Sequence, residues 1–263
     1  DVRPDWVVQG QITFAELQKM TVEPPTAEEV EACGTLRYYD KQFDRITPKT
    51  EKKLVAKETA FFKVSTSDDP VVTKLVEGDA KAVSDVRVFA TDAVLAVLMA
   101  APRSAFSWDI VVNRVGDKLF LDKRAGSSID YVTCNETAND FGDEDKESIN
   151  HPTKLTSEAT YINQNFSQQV LSDLTHPFSD PNNPFASSTE EAAVAAPVGY
   201  RYRKFELGAP PKGDAADTRV KLLCRCELDG VIKGKQDEDL FLRLYALNEI
   251  DAKLVNGIDW RQK

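Results

Sequence analysis

The chain has 263 residues, and its 43 acidic side chains outnumber its 33 basic ones, which gives a net charge of −10 at pH 7. Such an acidic protein is poorly suited to broad, salt-driven binding of nucleic acid, although it can still recognise one nucleotide by stacking and hydrogen bonds. No apolar run reaches the length of a membrane span and no secretory signal opens the sequence. We therefore expect a cytoplasmic protein with no membrane partner. Because Asp1 is not preceded by an initiator methionine, we also expect a fragment of a longer chain.

Several common catalytic motifs are absent from the sequence. It contains no phosphate-binding Gly-rich loop followed by Lys, no dinucleotide fingerprint and no nucleophile elbow. His151 and His176 each stand beside a proline in expected loops, which makes them poor general bases. The four cysteines lack metal-ligand spacing and are expected to be reduced thiols. Carboxylate–metal chemistry and plain ligand binding remain, and no cofactor is indicated.

The first half of the chain predicts three short helices and one extended segment. A helix signal lies around Phe14–Lys19, and residues 36–44 have the aromatic density of a partly buried extended segment. Asp68-Asp-Pro70 begins a weak helix that continues to Val76. The clearest helix runs from Asp92 to Met99 with Thr91 as its N-cap, and its apolar composition predicts that it is largely buried.

The second half predicts strands, one polar helix and one long loop. Residues 107–115 and 118–124 form a hairpin pattern across Gly116-Asp117. Residues 157–174 indicate a helix rich in amides and hydroxyls, which suggests ligand contact or simply a polar surface. Residues 175–199 contain four prolines and predict a loop. Strands follow at 200–207 and 240–247, so the predicted class is α+β with mixed, antiparallel-dominated sheets flanked by helices.

Residues 222–231 form the most informative run. Alternation predicts a strand that turns Glu227 and Asp229 to one face, and Gly230 is expected to end it with a sharp turn. Two carboxylates at this spacing can hold a divalent metal or a polyhydroxylated ligand. The alternative is the ordinary solvated face of an amphipathic strand.

Six stretches taken together resemble the d-type subunit of eukaryotic translation initiation factor 3. They are residues 32–46, 89–96, 107–116, 158–169, 200–203 and 256–263. The resemblance implies one cap-binding domain over residues 1–263, incomplete at its C-terminal end, with a fold similar to the DXO-type decapping exonucleases. It also implies that the Pro-rich segment 175–199 is an inserted gate over the RNA path.

The resemblance carries the family's cap contacts to two places in this sequence. One set is Asp92, Ala105 and Phe106, and the other is Thr160, Asn163 and Gln164. An aromatic face can stack on the cationic methylated guanine while amides and carboxylates read its edge. The family more often has Val-Tyr at 105–106 and His at 164, so Phe106 keeps the ring without the hydroxyl.

Further RNA contacts are expected from the basic, aromatic strand with Arg201 and Arg203, and from Glu227 and Asp229 on the floor of an RNA tunnel. The implied function is recognition of the 7-methylguanosine cap of messenger RNA, with the other factor 3 subunits and the small ribosomal subunit as partners. One alternative is an active metal-dependent decapping exonuclease with Glu227 and Asp229 as metal ligands. Its second motif, Glu-x-Lys, would follow Lys263. A third reading is a scaffold that binds only other subunits.

Overall fold

The computed structural model describes residues 25–47, 49–78, 80–101, 110–123, 152–208 and 219–246, with a few positions in 7–19 and residue 217. The chain forms two compact units. The first comprises residues 1–32, 63–148 and 201–226, and the second comprises residues 33–62, 149–200 and 227–263. Whether the whole chain acts as one domain, as the sequence predicts, stays a prediction.

The elements of the first unit are three helices and three complete strands. They are α1 (Phe14–Leu17), α2 (Pro70–Glu77), α3 (Asp92–Ala100), β2 (Val88–Thr91), β3 (Val111–Val115) and β4 (Lys118–Asp122). Three further strands contribute residues to both units: β1 (Glu28–Tyr39), β6 (Gly199–Leu207) and β7 (Val220–Leu228). The second unit adds a 3-10 helix (Lys41–Arg45), α4 (Pro152–Gln169), α5 (Thr189–Val194), β5 (Leu171–Pro177), β8 (Gly230–Lys233) and β9 (Asp239–Leu242).

The sheet of the first unit is mixed, in the order β3-β4-β2-β7-β6-β1. The predicted hairpin is confirmed, since β3 pairs antiparallel with β4 and Gly116 has a φ of 61° in the turn. Strand β2 runs parallel to both of its neighbours, β4 and β7. The sheet therefore contains more parallel pairing than the sequence predicted. Phe89 of β2 stacks on Phe120 of β4 with ring centroids 4.9 Å apart, which places the core at these central strands.

Helices α2 and α3 begin where the sequence predicts. The Asp69 side chain accepts hydrogen bonds from the first-turn amides of α2, and the Thr91 hydroxyl accepts one from Val94 N in α3. The prediction that α3 is largely buried is wrong. Val94 is 3% exposed, whereas Met99 is 78% exposed, because this short helix covers the sheet with one side only.

In the second unit, the polar helix has different boundaries from those predicted. Helix α4 starts before the predicted residue 157, and the chain is already extended in β5 by Leu171. Strand β5 pairs antiparallel with β1, with Leu36 opposite His176. Backbone pairing with a strand more than 130 residues away therefore overrides the helical pattern of residues 171–174. Strand β1 also pairs parallel with β8, and β8 pairs antiparallel with β9.

The segment 175–199 is more ordered than a loop. It begins inside β5, contains α5, whose N-cap Ser188 accepts from Glu191 N, and ends at the first residue of β6. Isolated bridges join Asp180 to Cys33 and Ala195 to Ala60. Its expected role as a gate stays a prediction. The strand predicted over 240–247 is present only as β9, and residues 243–246 lie outside it.

In the part of the chain that the structure describes, no helix combines the length and the apolar character needed to cross a membrane.

Candidate functional site

Glu227 and Asp229, the predicted metal or ligand pair, share a basic neighbour. Arg243 Nη1 lies 3.3 Å from Asp229 Oδ1 and 3.6 Å from Glu227 Oε2. The other carboxylate oxygen of Asp229 accepts a hydrogen bond of 2.7 Å from Leu244 N. The guanidinium thus supplies part of the positive charge that a divalent cation would otherwise supply. Among the described residues, no cluster of three or more His, Cys, Asp or Glu side chains could hold a metal ion.

Gly230 is explained by packing and not by a turn. Strand β7 ends at Leu228, close to the predicted end, but Gly230 is the first residue of β8, so the predicted sharp turn at Gly230 is wrong. A Cβ at this position would lie 2.8 Å from Leu171 Cδ2 and 3.3 Å from Arg37 O. The absence of a side chain lets β8 approach β1 and β5 closely.

Replacing Arg243 with alanine should create a cation site at this pair. Removing the guanidinium makes the surroundings of the two carboxylates more negative, which favours a divalent cation there. We expect Mn²⁺ to raise the thermal unfolding midpoint of Arg243→Ala, with a gain of about 1.4 kcal/mol at ten times its Kd. The wild type should respond much less. Differential scanning fluorimetry with and without Mn²⁺ measures both.

The control adds Glu227→Gln and Asp229→Asn to the Arg243→Ala background, and this variant should lose the Mn²⁺ response. An equal Mn²⁺ response in the wild type would contradict the prediction and would favour the metal-dependent alternative.

Asp92 occupies the start of α3 in the first unit. Its carboxylate accepts a 2.8 Å hydrogen bond from Ala93 N, and the preceding Thr91 pairs with Arg225 of β7. A carboxylate at a helix N-terminus is stabilised by the helix dipole. Ala105 and Phe106, which the resemblance groups with Asp92, lie outside the described residues.

The charge of Asp92 also acts on a pair of thiols on β7. The sulfurs of Cys224 and Cys226 lie 3.8 Å apart on one face of β7. Their shared hydrogen bond raises the pKa of Cys224, which burial raises further, and it lowers the pKa of Cys226. The charges of Arg203 and Arg201 also lower the pKa of Cys226, whereas Asp92 raises it. Cys224 is buried in the core, and Cys226 is the more exposed of the two.

The cations on β6 and β7 are largely neutralised by nearby acids. Arg201 forms an ion pair with Glu29 of β1. Lys204 and Lys221 contact the two carboxylate oxygens of Asp85 at 3.1 and 2.7 Å. The guanidinium of Arg203 lies over the Phe205 ring, 5.6 Å from its centroid. Arg201, one of the two predicted RNA contacts on this strand, thus already has a carboxylate partner.

Thr160, Asn163 and Gln164 share one face of α4, because residues three and four apart on a helix are neighbours. Asn163 Oδ1 accepts a 2.8 Å hydrogen bond from Ala246 N, so part of its amide stabilises the fold. The backbone oxygen of Gln164 accepts from Ser167 Oγ and Gln168 Nε2, both at 3.0 Å. For the Gln164 side chain, the described residues offer no hydrogen-bond partner, which leaves its amide open to a ligand.

The remaining amides of α4 hold another part of the chain. Gln169 accepts from Val55 N at 2.7 Å and donates to Lys53 O at 3.0 Å. Asn165 accepts from Lys57 N and Gln168 from the Thr59 hydroxyl, both at 2.6 Å. The amide content of α4, which suggested ligand contact or a polar surface, thus fixes an extended segment more than 100 residues earlier in the sequence.

Comparisons with known proteins give the family. The family model described as "Eukaryotic translation initiation factor 3 subunit 7 (eIF-3)" matches residues 1–263. The D-type subunit of eukaryotic translation initiation factor 3 from Homo sapiens is 45% identical over 265 residues, which are 100% of this chain and 46% of the relative. The protein of the same name from Nasonia vitripennis is 44% identical and covers 100% of this chain and 44% of the relative.

A solved structure is similar at lower identity. The crystal structure of Scheffersomyces stipitis Rai1 in complex with (3'-NADP)+ and calcium ion has a TM-score of 0.42 and 14% identity, and covers 95% of this chain and 66% of that chain. The chain spans less than half the length of the curated relatives above. On the full-length family match and the 45% identity to the human relative, the chain belongs to the eukaryotic translation initiation factor 3 subunit 7 family.

Proposed function

We propose that the chain binds the 7-methylguanosine cap at the 5′ end of messenger RNA and, as part of translation initiation factor 3, promotes cap-dependent initiation on selected messages in the cytoplasm. Family membership supports the role in initiation. Other factor 3 subunits and the small ribosomal subunit are the proposed protein and ribosomal partners. Segment 175–199 is proposed to cover the RNA path.

One observation carries the cap proposal. Thr160, Asn163 and Gln164 form a group of uncharged hydrogen-bonding side chains on one face of α4, and the Gln164 amide has no partner among the described residues. An amide both donates and accepts, which suits the mixed edge of a guanine base. Asp92 is proposed as a second contact, since a carboxylate pairs well with a cationic base.

Binding without hydrolysis is the proposed mode of action. Arg243 partly compensates the charges of Glu227 and Asp229, so these residues support a polar surface better than a metal centre. Arg201, Arg203, Glu227 and Asp229 are proposed to contact the RNA that follows the cap.

Titration of the protein with a fluorescent 7-methyl-GTP analogue tests the cap proposal. Gln164→Ala should weaken binding about 2- to 12-fold, because one hydrogen bond contributes about 0.5–1.5 kcal/mol. Asp92→Asn should weaken it about 10- to 100-fold, because a hydrogen bond to a charged group contributes more. Gln164 is preferred over Asn163 as the α4 variant, since Asn163 also bonds Ala246 N.

Gln236→Ala is the matched control, because Gln236 is an exposed glutamine on the β8–β9 turn. It should bind the analogue like the wild type. Equal affinity for GTP and 7-methyl-GTP would overturn the proposal. An affinity for the cap analogue that neither Gln164→Ala nor Asp92→Asn changes would also overturn it.

A further inference from the structure

The described residues of segment 41–59, here named the basic strap, carry a net positive charge, although the chain as a whole is acidic. Six of its residues are basic and three are acidic, whereas the chain has a net charge of −10. The basic residues are Lys41, Arg45, Lys49, Lys52, Lys53 and Lys57, and all of them are exposed. A local excess of positive charge on an acidic protein attracts anionic partners to that place.

Among the described residues, the cations of the basic strap have no acidic partners, in contrast to several cations on the strands. Within the described part of the chain, none of the six forms an ion pair, and Lys52 instead lies 4.3 Å from the centroid of the Phe43 ring. By contrast, Arg201, Arg225 and Arg243 each contact a carboxylate. The basic strap is therefore a place in the described residues where several exposed cations lie close together in the sequence and are available to a ligand.

The backbone of the basic strap is held in place although it has no regular structure after the 3-10 helix. The backbone groups of residues 53, 55 and 57 and the hydroxyl of Thr59 are bonded by Gln169, Asn165 and Gln168 of α4. Bonds at every second residue keep this stretch extended, so that Lys52 and Lys57 can lie on the order of 17 Å apart. A fixed row of cations loses less conformational entropy on binding than a mobile one.

We infer that the basic strap binds the phosphate backbone of single-stranded RNA. This inference rests on the proposed function, because α4, which holds the strap, also carries the proposed cap contacts Thr160, Asn163 and Gln164. RNA attached to a cap on α4 starts within the same compact unit as the strap. Proteins that bind single strands without sequence preference use such rows of positive charge along the backbone.

The test measures binding of the full-length protein to a single-stranded RNA of about 20 nucleotides by fluorescence anisotropy over a range of salt concentrations. Lys52→Gln, Lys53→Gln and Lys57→Gln are combined in one variant. We expect it to lose about 10- to 100-fold in affinity near physiological salt, and the slope of log K against log salt to fall by about 2. The affinity for a cap analogue without RNA should not change.

The matched control combines Lys74→Gln, Lys81→Gln and Lys235→Gln, three exposed lysines outside the basic strap. This variant removes the same charge and should bind RNA like the wild type. An equal loss in both variants, or an unchanged salt slope in the strap variant, overturns the inference.

Uncapped RNA separates the inference from the proposed function. If the cap analogue does not bind but the strap variant still loses affinity for uncapped RNA, the cap proposal fails and the inference stands. If the cap analogue binds but the strap variant binds RNA as tightly as the wild type, the inference fails and the cap proposal stands. Strap-dependent binding to poly-glutamate or to vesicles of anionic phospholipid, without binding to RNA, would also overturn it.

Discussion

Replacing Asp69 with alanine should lower the free energy of unfolding by about 3–5 kcal/mol, because it removes one partner of a buried ion pair. Asp69 is 0% exposed and Arg225 is 4% exposed. Arg225 Nη1 donates to Asp69 Oδ2 at 2.8 Å, and the Tyr202 hydroxyl lies 3.0 and 3.1 Å from the two carboxylate oxygens. Few side chains in the described residues combine so much burial with so many polar contacts.

Asp69 also fixes the start of α2. Its Oδ1 accepts hydrogen bonds from Val71 N at 2.9 Å and Val72 N at 3.2 Å. Loss of an N-cap alone costs about 0.5–2 kcal/mol. The larger expected loss arises because one carboxylate both caps α2 and neutralises Arg225, which is anchored by a second bond from Nη2 to Val64 O at 2.7 Å.

Urea unfolding followed by circular dichroism measures this change. Asp68→Ala is the matched control, because Asp68 is the adjacent residue but is exposed and contacts Ser65. We expect the control to lose about 0.5–1 kcal/mol. Tyr202→Phe, which removes only the hydroxyl, should fall between the two variants. Equal losses for Asp68→Ala and Asp69→Ala would show that burial of the ion pair does not matter.

Features that depend on neighbouring residues were predictable from the sequence. The hairpin needed only a Gly-containing turn between two apolar runs, and α2 and α3 needed only Asp69 and Thr91 as caps. The α+β class followed from these elements. Parallel pairing of β2 was not predictable, since it joins strands separated by more than 100 residues in the case of β7.

The candidate site was predictable only in part for the same reason. The spacing of Glu227 and Asp229 was visible, but the meaning of the pair depends on Arg243, and no pattern in the sequence indicates that contact. The amides of α4 gave a correct signal of unusual polarity. Their partners lie in residues 53–59, so the sequence could not distinguish a ligand from a distant part of the same chain.

The same limit applies to the basic strap. Its lysines are ordinary surface residues by composition, and a charged run is most often a solvated face. What sets them apart is their concentration in one segment together with the hydrogen bonds from α4, and these hydrogen bonds are a property of the fold.

Gly34 of β1 is expected to tolerate no side chain, and Gly34→Ala should destabilise the fold by about 3–5 kcal/mol. Its φ is 96°, and an added Cβ would lie 2.5 Å from Val198 O, a backbone atom that cannot rotate away. Backbone strain of this kind costs about 1–3 kcal/mol, and a forced shift of packed atoms costs a similar amount. Gly116→Ala is the control, since φ is 61° there but nothing lies within 4 Å, so only the strain of about 1–2 kcal/mol remains.

The position of Gly34 connects this loss of stability to the proposed gate. Gly34 N donates to Asp180 O at 2.8 Å, Phe178 N donates to Gly34 O at 3.0 Å, and the clash would fall on Val198. These contacts lie near both ends of segment 175–199, so Gly34→Ala should loosen the whole segment. Limited proteolysis should then cleave within 175–199 much faster in Gly34→Ala than in Gly116→Ala. If Gly34→Ala lowers the unfolding free energy but leaves cleavage of this segment unchanged, the segment is held by other contacts, and a gate that opens independently of β1 becomes the better explanation.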